Sequence, residues 1–238
     1  MIKLAISGCQ GRMGQRITAL ALNDKAFKIS ALLESKDRPD VPLLSYNIPV
    51  NFEDSALKGS DVLIEFTTPQ ATLEHLKACR KYGVNMVIGT TGFTKAQITQ
   101  IKKASSKIAV VFSSNMSVGV NLVFGLIRQA AVIIGKDYSI ALSETHHVHK
   151  KDAPSGTAKT MAEIAEQFSK TKVKSIESIR EGEVIGDHTI NFESPVDMIS
   201  IRHHAKTRDI FVEGSLVAAK FLSKKKKGLF NMQDVLGL

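Results

Sequence analysis

Cysteine is scarce, with two among 238 residues, which excludes a disulfide-stapled scaffold and suits a reducing compartment. Tryptophan is missing and aromatic residues make up only 6% of the chain. No aromatics are interleaved with basic residues, so the stacking platforms of single-strand nucleic-acid binders are not visible. Long hydrophobic runs are lacking too. The most apolar stretch, Val118 to Ile134, is interrupted by Asn121, Arg128 and Gln129, whereas a membrane span wants about 20 nearly uncharged apolar residues. The first residues, MIKLAISGCQGRMG, hold an apolar run too short for a secretory signal, whose apolar core is roughly 7–15 residues long. The expectation is a cytoplasmic protein with neither a membrane nor a nucleic-acid partner.

Acids are in deficit: 23 Asp and Glu face 32 Lys and Arg, a net charge of +9. Four of the bases form one run, Lys224 to Lys227, which reads as a solvated loop. Attraction of a small anion accounts for the remaining positive charge as well as a polyanion does. Apolar residues at 43% and charged residues at 23% are those of a globular chain. The length allows one large domain or two modest ones.

What is there begins with alternation. Short apolar runs at Ile2–Ile6, Lys28–Leu33, Asp61–Phe66, Val84–Ile88 and Ile108–Phe112 read as strands. Amphipathic segments at Arg12–Leu22, Gln70–Tyr82 and Lys95–Ser105 lie between them. Strands alternating with helices predict βαβ units and a parallel sheet covered on both faces. Four strands end in small polar residues: Ser7-Gly8, Thr67-Thr68, Gly89-Thr90-Thr91 and Ser113-Ser114-Asn115. In such a sheet those ends share one edge, where ligands bind.

After Asn115 the texture changes. Ser117–Ile134 reads as a buried helix, Asp137–Glu144 as a strand and Ser155–Phe168 as a helix. Strand-like stretches follow near Val173–Arg180, His188–Phe192, Met198–His203 and Ile210–Glu213, and the tail from Gly214 reads as helical and then irregular. Antiparallel strands with helices on one face suit this block. The fold class is therefore α/β. A Rossmann-type dinucleotide-binding domain takes residues 1–115 and 214–238, and an α+β domain with a mixed sheet takes 116–213.

Two clusters carry chemistry. Gly8-Cys9-Gln10-Gly11-Arg12-Met13-Gly14 follows the first strand and opens the first helix. Glycines there let the backbone pass close to a pyrophosphate, and free N–H groups at the helix start hold it. The spacing is GxxGxxG and departs from GxGxxG at its start. Glu34 stands 20 residues after Gly14, where an acid accepts from the adenosine ribose hydroxyls.

The second cluster runs from Glu144 to Thr157 as ETHHVHKKDAPSGT and holds three of the seven histidines. Three imidazoles suggest a metal, but Lys150, Lys151, Arg202 and Arg208 oppose a cation, so no metal is expected. Cationic and imidazole groups together suit an anionic substrate and proton transfer. Pro154-Ser155-Gly156-Thr157 starts a helix whose unpaired N–H groups offer a carboxylate site. His149 reads equally well as a surface hydrogen-bonder. Cys9 and Cys79 read as structural.

At these residues the sequence resembles the 4-hydroxy-tetrahydrodipicolinate (dihydrodipicolinate) reductases of the diaminopimelate route to lysine. The resemblance rests on GCQGRMG, EFTTPQATLEHL, VIGTTGFT, FSSNMSVGVNL, ETHHVHKKDAPSGTA and GLFNMQDVLGL, and runs nearly end to end. It implies an oxidoreductase using NADH or NADPH, a small dicarboxylate substrate and a homotetramer built through the second domain's sheet. It implies that Gly8 to Met13 contact the pyrophosphate and Glu34 the ribose, and that Gly89, Thr90 and Thr91 with Ser113, Ser114, Asn115 and Met116 line the nicotinamide half. His146 becomes a proton donor or acceptor, Lys150 a proton donor, and His147, Gly156 and Thr157, with Ser155 at the helix start, the substrate's carboxylate partners. Arg208 matches a basic residue of the substrate domain. Two departures stand out. The stretch between the helix after Thr157 and Gly186 is shorter than in many members. Met116 replaces an aromatic residue of some relatives, which predicts looser packing near the nicotinamide. Two rival readings are a dinucleotide sensor without catalysis, disfavoured by the Lys150–His146 combination, and a metal-dependent hydrolase, which a chelator would inactivate.

Overall fold

The computed structural model describes residues 1–38 and 40–238. The chain forms two compact units, Met1–Ser117 with Phe211–Gly237, and Val118–Ile210 with Leu238. The first stretch builds β1 (Ile2–Ser7), α1 (Arg12–Leu22), β2 (Phe27–Leu33), β3 (Leu44–Ser45), β4 (Ile48–Asn51), a 3-10 turn at Asp54–Leu57, β5 (Val62–Glu65), α2 (Pro69–Tyr82), β6 (Asn85–Ile88), α3 (Lys95–Ala104) and β7 (Ala109–Phe112). The second unit follows with α4 (Val118–Ile134), β8 (Ser139–His146), α5 (Gly156–Ser169), β9 (Val173–Arg180), β10 (Asp187–Glu193) and β11 (Met198–His204). The chain then returns through α6 (Asp209–Leu222), β12 (Gly228–Phe230) and α7 (Met232–Leu236).

The first unit is a sheet in the order β12-β7-β6-β5-β1-β2-β4-β3, parallel except for the short β3–β4 pair. Its central strands are apolar without alternation because both faces are covered: all four residues of β5 are buried. Local signals fix the helices between them. Thr68 caps α2 by accepting from Ala71 N, Pro69 occupies its first turn, and Gly83 ends it at φ +71°. Thr94 and Gln97 form a capping box on α3. The strands β2 and β5 flank β1, so the connections run in opposite directions from that point. In sheets of this kind ligands bind at such a switch point, outside the carboxyl ends of the strands.

The second unit is a sheet in the order β11-β10-β8-β9. It is mixed: β8 pairs in parallel with β9 through α5, while β10 runs antiparallel to both β8 and β11. Strict alternation along β8 and β10 turns one face inward. Ile140, Leu142, Ile190 and Phe192 form its apolar end, packed with Val123, Ile127, Met161 and Ala165 of α4 and α5. Glu144, His146 and His188 continue the same face as a polar end.

The expected helices and most strands lie within a residue or two of the observed ones. Ile210–Glu213 is not a strand, however. Its β-branched and aromatic residues open α6, where Val212, Leu216, Ala219 and Leu222 return to one buried face with helical spacing. The tail is not irregular after α6 either, since β12 adds to the sheet beside β7. β3 and β4, which carried no expectation, are too short for a periodic signal.

One buried carboxyl group stands out in the first unit. Glu65, at the end of β5, is fully buried and is met by the Thr67 hydroxyl and by His75 Nδ1 at 2.5 Å. His75 Nε2 lies 3.7 Å from Asp54. Burial opposes a charge on His75, but Glu65, Asp54 and Glu74 outweigh it and raise its pKa above 6.5. A raised folded-state pKa contributes stability that is complete below the unfolded value and is lost as pH climbs through the folded one. The gap in urea midpoint between the wild type and His75→Gln is therefore expected to be wider at pH 6 than at pH 9. A gap independent of pH would sink this account.

Candidate functional site

Each unit presents one site. In the first, the glycine turn bends at Gly8 (φ +60°) and closes with Gly11 N donating to Gly8 O at 2.8 Å. Helix α1 starts at Gly11 with no side-chain cap, unlike α2 and α3. Its first-turn N–H groups are thus left for an anion. Gly14 lets the helix pack onto the turn: a Cβ there would lie 2.1 Å from Gly8 O. Cys9 points into the core, where burial and then Glu34 push its thiol up to about 11. It is structural, and its part in the turn is played by its backbone.

Glu34 is tied to that turn. Its Oε2 accepts from Gln10 N at 2.9 Å and from Arg38 Nη1 at 3.2 Å, and Oε1 accepts from Ser35 N at 3.1 Å. The fold thus brings the acid twenty residues after Gly14 against the glycine turn. Lys36 does not join them, because it pairs with Glu53. Arg38 is the cation beside Glu34, and the sequence reading passed over it because it lies four residues beyond the acid.

Next along the edge, Gly89 has no room for a side chain, since a Cβ would meet the Phe66 ring at 2.2 Å. Thr90 is buried, and its hydroxyl accepts from Thr67 N at 3.0 Å, so it braces two strand ends while Thr91 is exposed. Ser113 Oγ donates to Asn115 O at 2.9 Å, and Asn115 Oδ1 accepts from Ser117 N at 2.9 Å. Ser114 is exposed. Met116 is only 2% exposed.

The second site lies at the polar end of the β8–β10 face. Glu144 and His146 share that face because they are two residues apart on one strand. The Glu144 carboxylate is fully buried. Arg180, at the end of β9, grips it with Nη2 to Oε1 at 2.9 Å and Nη1 to Oε2 at 3.1 Å. Ser155 N also donates to Oε1 at 3.2 Å, and His146 Nδ1 hydrogen-bonds Oε2. Burial raises the Glu144 pKa, but Arg180 and His146 outweigh it and hold the group below the usual carboxylate range. His146 is displaced downward, first by burial and also by Lys150 and Arg180, against the pull of Glu144. His188 is pushed down to about 4, by burial and then by His146. Both rings are therefore neutral at neutral pH and pack edge to face at 4.9 Å.

Lys150 Nζ pairs with Asp152 Oδ1 at 2.7 Å and keeps 23% of its side chain exposed. Arg180 also reaches this loop, donating to Lys150 O at 3.4 Å and Asp152 O at 2.6 Å. One guanidinium thus fixes both the Glu144–His146 pair and the lysine loop. Ser155 is the buried N-cap of α5. Its Oγ accepts from Ala158 N at 3.2 Å and hydrogen-bonds His188 Nε2 at 3.0 Å. Gly156 and Thr157 begin the helix beside it, with Gly156 exposed. His147 is half-buried, its ring 5.9 Å from that of His149. His149 is exposed and touches Glu183, which fits the surface reading. Arg208 is exposed in the turn before α6, and no hydrogen bond or ion pair joins it to this group among the described residues.

Sequence reasoning assigned no role to Glu144, Arg180 or His188. Alternation was the available signal: Glu144 and His146 are i and i+2, and His188 heads an inward series with Ile190 and Phe192. Arg180 carried no local signal at all. Glu144, His146 and His188 place three ligating atoms within 4.8 Å of one another. The guanidinium already bonded to both oxygens of Glu144 disfavours a cation there.

A glycine turn opening an uncapped helix after the first parallel strand, with an acid at the end of the second, is the arrangement of the pyridine-nucleotide oxidoreductases. Comparison with known proteins narrows this class. The description "Dihydrodipicolinate reductase, N-terminus" matches residues 2–116, and "Dihydrodipicolinate reductase, C-terminus" matches residues 119–236. The 4-hydroxy-tetrahydrodipicolinate reductase of Nitrosomonas eutropha is 40% identical over 268 aligned positions, covering 100% of this chain and 99% of that protein. The protein of the same name from Laribacter hongkongensis is 39% identical, covering 100% of this chain and 98% of its own length. A dipicolinate-bound dihydrodipicolinate reductase from Paenisporosarcina sp. TG-14 superposes with a TM-score of 0.85 at 27% identity, covering 98% of each chain. The chain belongs to the dihydrodipicolinate reductase family. Among its described residues no helix is long and apolar enough to cross a membrane.

The glycine turn has a measurable consequence. Gly14→Ala forces a methyl group against Gly8 O and Cys9 Cα, and such overpacking costs roughly 1–3 kcal/mol. A lower urea midpoint and at least tenfold weaker NADH binding by fluorescence titration are expected. Unchanged values for both would mean that the turn gives way freely.

Proposed function

We propose that this chain reduces 4-hydroxy-tetrahydrodipicolinate to tetrahydrodipicolinate on the route to diaminopimelate and lysine. The carrying observation is the grouping of His146, Lys150 and the α5 N-terminus in a member of this reductase family. The net change adds one hydride and one proton and releases water. When bound, a reduced pyridine nucleotide supplies the hydride.

The chain's own residues do the rest. Ser155 N is already given to Glu144, so Gly156 and Thr157 at the start of α5 hold one substrate carboxylate, with His147 and Arg208 as further partners. Lys150 delivers the proton as negative charge builds on the ring, and Asp152 holds its ammonium in place. His146 offers Nε2 to the substrate. In the first unit, Gly8 to Met13 bind the pyrophosphate and Glu34 the ribose, while Gly89 to Thr91 and Ser113 to Met116 take the nicotinamide half. The protein works in the cytoplasm as a homotetramer. Ile179, Met198 and Ile199 are exposed on the strands of the second sheet, which suits pairing between copies there.

The direct test is NADH oxidation on adding the condensation product of pyruvate and aspartate semialdehyde. No oxidation by the folded chain would reject the reading. In the same assay Lys150→Ala is expected to cut kcat by about 10²–10⁴, the range for a positioned acid. NADH affinity should stay unchanged, and joint loss of binding and turnover would make Lys150 structural.

NADH is the better cofactor and NADPH a usable one. Glu34 accepts from ribose hydroxyls and repels a 2′-phosphate. The preference is set at about tenfold, or about 1.4 kcal/mol. Glu34→Ala should narrow it mainly by improving NADPH, because Arg38 is then released toward the phosphate. A wild type that uses NADPH tenfold better would overturn this assignment.

A further inference from the structure

The bonds around Glu144 decide more than where His146 sits. An ionised carboxylate can only accept hydrogen bonds. Oε1 is occupied by Arg180 Nη2 and Ser155 N, and Oε2 by Arg180 Nη1 and His146 Nδ1. The hydrogen in the last of these must come from the imidazole. Which nitrogen of a histidine carries the proton is set by the bond the other one makes. Nε2 of the neutral ring is then left with a lone pair. Nothing larger than a hydrogen covers it from Gly186, where a Cβ would stand 3.1 Å from Nε2. His188 does not claim it either: its own Nε2 is engaged with Ser155 Oγ, and its buried Nδ1 has no hydrogen-bond partner.

We propose that Glu144, clamped by Arg180, is a positioning residue that fixes His146 as the Nδ1–H tautomer, so that Nε2 meets the substrate as an acceptor. The hydrogen on Nδ1 follows from the bonds to Glu144, the bare Nε2 from the burial and neighbouring cations that disfavour a charged ring, and its use in turnover rests on the reductase reading above. Arg180 has two effects here. It keeps Glu144 ionised, and its charge offsets that of Glu144, so the carboxylate orients His146 without charging it.

Glu144→Gln separates these ideas. The amide oxygen is expected to stay with Arg180 Nη2 and Ser155 N, which puts the amide NH₂ against His146 Nδ1. A donor there requires a lone pair on Nδ1, so the ring must turn into the Nε2–H tautomer. The readout is a long-range ¹H–¹⁵N spectrum of ¹⁵N-histidine-labelled full-length protein at pH 7.5, with the His146 signals identified by their loss in His146→Asn. The wild type should show a protonated Nδ1 and a bare Nε2, and Glu144→Gln the reverse. In turnover, Glu144→Gln should lose about 10²-fold in kcat while the KM for NADH stays within threefold.

A wild-type His146 protonated at Nε2 overturns the proposal, and that measurement needs no variant to fold. Turnover by Glu144→Gln within threefold of wild type also overturns it. A wild type that shows the stated tautomer, and its reversal in Glu144→Gln, yet reduces nothing, upholds the Glu144 assignment and rejects only the reaction.

Discussion

A carboxylate without water must be answered by donors, and Glu144 is answered by the guanidinium of Arg180. That pair is the constraint on which the second site depends. Removing one member of such a buried pair costs about 3–5 kcal/mol, because the other charge is left unanswered. The same two side chains orient His146, receive the first N–H of the α5 cap and pin the backbone around Lys150. Three elements separate in sequence are thereby held to one geometry: β8, the loop before α5, and the end of β9. Loosening the pair would shift His146, the loop around Lys150 and the start of α5 together.

The two sites use helix starts in different ways. Helix α1 has no side-chain cap and leaves its first turn bare, whereas Ser155 caps α5 and links it to His188. A bare turn suits a diffuse pyrophosphate met by backbone along its length. A capped start whose cap is itself bonded to the site suits a small ligand whose carboxylate has to be held at one angle. Neutrality of His146 and His188, imposed largely by burial, keeps the centre of the second site from being as basic as its rim.

The sequence made much of this legible, for reasons that differ by element. The five expected strands of the first sheet were readable because strands covered on both faces carry runs of buried, mainly apolar residues, unbroken in β5 and confined to the second half of β2. The glycine turn was readable because close approach leaves only glycine, as the contact of Gly14 with Gly8 O illustrates. Residues 210–213 were misread because Ile, Phe and Val favour strands locally, while Leu216, Ala219 and Leu222 select a helix through packing further along. Arg180 was invisible because its meaning lies in a parallel pairing of β8 with β9, where it stands opposite His146. Local spacing holds no trace of such a partner. Lys36 and Arg38 show the same limit: proximity in sequence favoured the lysine, and the fold gave the place beside Glu34 to the arginine.

The strand β12 sits outside β7 in the first sheet, although α4 and β8 to β11 come between them in the chain. This bears on the order in which the protein is made. Residues 118–210 are contiguous, so the second unit can assemble as soon as they leave the ribosome, apart from Leu238. The first unit cannot. Through that whole interval β7 is an open edge, and neither Phe230 nor the buried face of α6 exists to complete the sheet and its packing. The unit that begins synthesis is therefore the last to close, and a nascent chain stalled before its final residues carries an unpaired strand edge.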